Sequence, residues 1–232
     1  MEVEILYQST SAIAKVSLEK GEKIQAESGS MGAMSTTLSM ETTAEGGLIK
    51  SLNRSLFSGE SFFLNTYTAV QEGDFVFLAP PIPGDISVVE MNNQSLLVQS
   101  GSYMASSVGI EIETKWEGAK SFFAGEGLVM LEISGTGTLL ISSFGAIHHV
   151  TLNANESIVV DTGHLVAFDP KIQYEIKRVA GWKSTMFSGE GLVVDLTGPG
   201  ELYMQSRVQS SFFASLLATT PEMILKMING NG

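Results

Sequence analysis

One short motif, present three times, constrains this chain more than any other feature. The middle copy is Lys120-Ser121-Phe122-Phe123-Ala124-Gly125-Glu126-Gly127. The first is Arg54-Ser55-Leu56-Phe57-Ser58-Gly59-Glu60-Ser61, and the third runs from Lys183 to Gly191 with one extra residue. Gly59 to Gly125 is 66 positions and Gly125 to Gly189 is 64. Each copy leads into an apolar, β-prone run: Phe62-Phe63-Leu64, Leu128-Val129-Met130-Leu131 and Leu192-Val193-Val194. A glycine turn follows each run, at Gly73, at Gly135-Thr136-Gly137 and at Gly198-Pro199-Gly200. A further strand pattern comes next: Phe75 to Leu78, Leu139 to Ile141 and Leu202 to Met204.

A second marker keeps the same order. Val16 to Gly29, Val88 to Gly101 and Val150 to Gly163 each alternate apolar and polar residues about a central polar turn, a hairpin signal. Each ends on a polar dipeptide and glycine: Glu27-Ser28-Gly29, Gln99-Ser100-Gly101 and Asp161-Thr162-Gly163. A period near 65 is too long for a solenoid repeat and too short for three independent domains. The reading is an all-β chain of about twenty short strands at the usual strand spacing. Three internal β-repeats are expected around a pseudo-threefold axis, forming one barrel- or sandwich-like domain with one or two short helices. The single domain spans 1–232, with repeats at approximately 1–73, 74–139 and 140–206 and a partly helical tail at 207–232.

Two stretches leave the β pattern. Leu48, Leu52 and Leu56 share one helical face after Gly46-Gly47. In the tail, after Phe212-Phe213-Ala214-Ser215-Leu216-Leu217, Thr220 and Pro221 suit a helix start and Asn229-Gly230 a stop. A helix from Pro221 to Ile228 is too short to be stable alone in water. Its stripe of Met223, Ile224, Met227 and Ile228 is therefore expected to be covered by the chain's own barrel, a second copy or a different partner.

Composition removes several classes. The absence of cysteine excludes disulfides and cysteine metal sites and suits a reducing cytosol. Met1-Glu2-Val3-Glu4 lacks the basic and apolar regions of a signal peptide, and no apolar run reaches a membrane span. The location expected is cytoplasmic. A net charge of −12, from 13 Lys and Arg against 25 Asp and Glu, works against general nucleic-acid binding and against adsorption to anionic lipid.

Chemistry-bearing residues are sparse. Adjacent residues in a strand face opposite ways, so His148 and His149 do not readily share a metal. His164 takes the place held by Ser30 and Ser102 in the other copies, which fits a local surface choice. Gly-x-Ser-x-Gly is absent, and the glycine-rich pieces lie between strands rather than opening a helix. Glu60, Glu126 and Glu190, each preceded by Arg54, Lys120 or Lys183, could gather charge near an axis. A feature repeated in every unit more often serves the unit's fold, here a strand-entry turn. No catalytic, cofactor-binding or metal-ligating residue is assigned, and the chain is read as not an enzyme.

The assembled order of pieces resembles a known family. Glu27-Ser28-Gly29-Ser30-Met31, Gly46-Gly47-Leu48, Ser58 to Phe63, Ala79-Pro80 and Pro83-Gly84-Asp85-Ile86 come first. Gly125-Glu126-Gly127-Leu128, Gly135-Thr136-Gly137, Asp161 to Phe168, Thr197-Gly198-Pro199-Gly200 and Gln205-Ser206-Arg207 follow. Together they are similar to the altered-inheritance-of-mitochondria family, from about Val16 to Arg207. The resemblance implies a triplicated fold similar to the tryptophan RNA-binding attenuation protein, an association with inner-membrane organisation and no catalytic residues to carry over. Without a transit peptide, the chain looks like a prokaryotic, cytoplasmic member.

The functional expectation is a non-enzymatic scaffold or assembly module, with a link to membrane organisation. Its candidate partners are another copy of itself and a protein or membrane surface contacting the C-terminal tail. An RNA- or small-ligand-binding module is the alternative by fold analogy. An enzyme would need a pocket that brings His148, His149 or His164 beside the repeated glutamates.

Overall fold

The structure, a computed structural model, describes residues 1–9, 11–43, 64–114, 129–178 and 192–219. After β1 (Glu2–Leu6), the first unit holds β2 (Ile13–Leu18), β3 (Lys23–Glu27), β4 (Met31–Met34), β5 (Ser39–Thr43), β6 (Leu64–Thr68) and β7 (Asp74–Leu78). The second holds β8 (Ile86–Gln99), β9 (Tyr103–Ser107), β10 (Ile110–Thr114) and β11 (Met130–Ser142). The third holds β12 (Ile147–Leu152), β13 (Ser157–Asp161), β14 (Leu165–Phe168), β15 (Gln173–Arg178), β16 (Leu192–Thr197) and β17 (Gly200–Gln205). A helix, α1 (Gln209–Thr219), follows. Among the described residues no helix is long and apolar enough to cross a membrane.

The three units share one strand plan. In the first, β2 pairs with β7, β3 with β6, β5 with β6 and β4 with β7. In the third, β12–β17, β13–β16, β15–β16 and β14–β17 are the same four ladders. In the second, β8 and β11 are long enough to serve both layers, so β8–β11 supplies two of the ladders, with β10–β11 and β9–β11 the others. All of these are antiparallel. Each unit is thus two small sheets facing one another. Strand pairing puts the unit boundaries after Leu78 and after Ser142, a few residues past the 73 and 139 read from the glycine markers. Among the described residues no sheet closes on itself, so the architecture is a row of sandwiches rather than a closed barrel.

The hairpin reading is corrected. β2 and β3 do not pair with each other; they lie in opposite sheets, joined by a corner at Glu19 to Glu22. In the second unit the same two segments are one bent strand, β8, with Asn93 at a positive φ of 54°. The matching corners touch: Gly21 N donates to Ala69 O in the first unit and Gly198 N to Glu156 O in the third. Local turn signals are the same for a hairpin and a corner. The partner strand lies far along the chain, 60 positions in the pairing of Val16 with Val76, and the local pattern does not name it.

Alternation places the core. Ala14, Val16 and Leu18 point inward from β2, and Val76 and Leu78 from β7. Three apolar clusters form, one per unit, and each borrows side chains from a neighbour. Leu97 and Met130 of the second unit pack into the third cluster, and Met104, Ala105 and Leu140 into the first. The helix readings over Leu48 to Leu56 and Pro221 to Ile228 fall outside the described residues. α1 lies just before the latter and takes in Phe212 to Leu217.

One carboxylate holds a corner of the first unit. Asp74 is buried; it accepts from Thr37 Oγ1, and its Oδ2 accepts from Val70 N at 2.9 Å and Gln71 N at 3.1 Å. These donors, Thr37 foremost, hold its pKa below the usual carboxylate value. A folded-state pKa that is depressed adds stability above the unfolded value, and that stability is lost as pH falls through the folded pKa. Asp74→Asn is therefore expected to unfold at lower denaturant than the native chain near neutral pH. The gap should close as pH drops from ~7 to ~2. Urea melts along that range check it; a constant gap would deny Asp74 this role.

Candidate functional site

The third unit presents an open groove of about 400 Å³ beside β13. Its walls include His148, Val159, Asp161, His164, Met204 and Gln205. The floor is pinned by Gln205, a buried side chain whose Oε1 accepts from Phe144 N at 2.8 Å and whose Nε2 donates to Gly163 O at 2.7 Å. His164 Nδ1 donates to the Gln205 carbonyl at 2.6 Å. A carbonyl only accepts, so Nδ1 carries the proton of this bond. Asp161 Oδ1 accepts from Gly163 N at 2.8 Å, capping the tight turn Thr162–His164.

His148 and His149 part company, as strand geometry requires. His149 stacks on Tyr203 with ring centroids 4.4 Å apart and planes 7° apart, and its Nε2 meets Glu201 Oε2 at 2.5 Å. Thr151 Oγ1 donates to the same carboxylate oxygen at 2.9 Å. Burial, with Glu201 adding to it, raises the Tyr203 phenol above its ordinary pKa. This set lies on the exposed β12–β17 surface, while His148 lines the groove.

The groove therefore joins His148 and His164 with Asp161 and leaves His149 out. Among the described residues no group of three or more His, Asp or Glu is placed to hold a metal ion. Glu60, Glu126 and Glu190, with Arg54, Lys120 and Lys183, fall outside the described residues, in the stretches between β5 and β6, β10 and β11, and β15 and β16. Asp161 and Gln205 stand in the sequence within repeat and family motifs that carry no chemistry of their own, and Val159 within a strand pattern; the fold brings them to one groove.

Beyond the groove, α1 leans on the third unit through Phe212, whose ring meets Phe144 edge-on at 5.1 Å. Phe213 meets Phe212 edge-on at 5.7 Å. Phe212, Phe213 and Leu216 remain 40%, 51% and 48% exposed.

A family model described as mitochondrial biogenesis AIM24 matches residues 3–207. The chain is similar to uncharacterized protein M6_Spy0233 of Streptococcus pyogenes serotype M6, with 29% identity over 218 residues, or 90% of this chain and 87% of the relative. It is also similar to the crystal structure of protein SPYM3_0169 from Streptococcus pyogenes. That match has a TM-score of 0.76 at 27% identity and covers 94% of this chain and 98% of the other.

Proposed function

Because the chain belongs to the mitochondrial biogenesis AIM24 family, we propose that it is a non-enzymatic scaffold or assembly module. It works in the cytoplasm and holds larger assemblies together, membrane-organising ones among them. The observation that carries this reading is the apolar group Phe212, Phe213 and Leu216 on α1. Grouped exposed apolar side chains of this size mark contact surfaces on soluble proteins. Phe212 meets the rings of Phe144 and Phe213, and Phe213 that of Phe212, yet 40% and 51% of their surfaces stay open to a partner. The net charge of −12 turns that partner away from anionic lipid and toward protein or neutral lipid surfaces.

The double variant Phe212→Ser/Phe213→Ser tests it. Phe213 is exposed and Phe212 also packs on Phe144, so the body of the fold is expected to survive with native-like circular dichroism and a slightly lowered melting midpoint. In native extract, the unaltered chain should run in a particle much larger than itself, and the variant should shift to smaller particles. If both run at the same size, α1 holds no assembly and the reading loses its support.

A further inference from the structure

We propose that β13 of one copy pairs edge to edge with β4 of a second copy, so that the junction between units continues from chain to chain. This deepens the scaffold reading and rests on it.

The chain makes this junction twice within itself. The second strand of one unit pairs antiparallel with the third strand of the next: β3 with β9, and the latter half of β8 with β14. The register is the same both times. Ala26 faces Ala105 as Val98 faces Ala167, and Gln25 faces Ser106 as Leu97 faces Phe168. Ala33 is the first unit's counterpart of Ala105 and Ala167, each lying four residues past a marker glycine, Gly29, Gly101 or Gly163. The three alanines also share a local irregularity: the ladder to Phe77, Leu140 or Tyr203 shifts register just before each of them.

One half of this junction is left over at each end of the row. Among the described residues β13 pairs only with β16, and β4 only with β7. Burial follows the pairing. Ala105 and Ala167 are fully buried, whereas Ala33 is exposed. Leu97 is 7% exposed, and its counterpart Val159 is 62% exposed. Tyr103 and Leu165 are buried, and their counterpart Met31 is 37% exposed. Soluble proteins usually blunt free edges with lysine, proline or inward charges. β4 is Met-Gly-Ala-Met, and β13 is Ser-Ile-Val-Val-Asp with its one charge at the far end. The groove of the third unit runs along β13, whose second edge is unpaired among the described residues.

The two edges differ from each other, so the contact is heterologous and builds a ring or an open row of copies. Continuing the internal register sets Val160 opposite Ala33, and Val159 opposite Met34, of the second copy.

Two exposed positions allow a test that spares each chain's own fold. Ala33→Arg puts a charge where a junction would bury it, and Val159→Lys does the same on the other edge. Light scattering at high protein concentration should give the native chain a multiple of the monomer mass and each variant alone the monomer mass, with native-like circular dichroism and melting. An equimolar mixture of the two variants keeps one good edge of each kind and should form a dimer and nothing larger. A monomeric native chain overturns the proposal, as do variants that keep the native mass, or monomeric variants that fail to pair when mixed. If the native chain is monomeric while the α1 variant still shrinks the particle in extract, the edge pairing is wrong and the scaffold reading stands. If neither responds, both are wrong.

Discussion

Gly84→Ala is expected to cost about 3 kcal/mol or more of folding stability, the upper end of what overpacking usually costs. A Cβ built on Gly84 would sit 1.6 Å from the carbonyl oxygen of Ser143 and 2.7 Å from its carbonyl carbon. Both contacts are to backbone, so no side chain can swing aside. The segments that lead into the three units meet here. Ala12 N donates to Gly84 O at 2.9 Å, Gly145 N to Pro83 O at 3.0 Å and Ser143 N to Asp85 O at 3.1 Å. Gly84 and Gly145 form an isolated parallel bridge. Relieving the clash means parting the second unit's entry from the third's. Urea melts of the purified variant check this; a midpoint within error of the native chain would show that the joint is not tightly packed.

Phe168→Ala is expected to cost about 3–5 kcal/mol, the range for deleting a buried aromatic. Phe168 is 1% exposed and meets Tyr174 edge-on at 5.4 Å. It serves two structures at once. Within its unit it pairs with Leu202, and across the junction it pairs with Leu97. Truncation therefore leaves a cavity in the third core and loosens the seam between the second and third units. Val159→Ala, on the exposed β13 edge, should stay within about 0.5 kcal/mol in a monomeric preparation. Equal losses in the two variants would contradict this division between seam and edge.

The all-β class and the threefold repeat were legible in the sequence because both rest on local signals. Period-2 alternation marked the strands, and Gly29, Gly101 and Gly163 fall at the same place in each unit, between its second and third strands. Pairing was not legible. The segments around Lys20-Gly21-Glu22 have the turn chemistry of a hairpin, yet their partners are β7 and β6. The choice is made by the two-layer core, which buries Val16 against one sheet and Ile24 against the other. The groove was invisible for the same reason, since Gln205 lies 44 positions from Asp161 and strand pairing brings them together. One signal was present and unread: alanine recurs four residues after each marker glycine, at Ala33, Ala105 and Ala167. Two of the three are buried in seams, and the third is the free edge.

Edge continuity between copies is tested most directly by cross-linking, which the absence of native cysteine makes clean. Val159→Cys and Met34→Cys are prepared separately, mixed and oxidised, with Tyr7→Cys, at a 76% exposed site, replacing Met34→Cys as control. The expected result is a disulfide-linked heterodimer from Val159→Cys with Met34→Cys in high yield and little from the control pair. Equal yields from both pairs, or none from either, would contradict a junction that runs from β13 of one copy to β4 of the next.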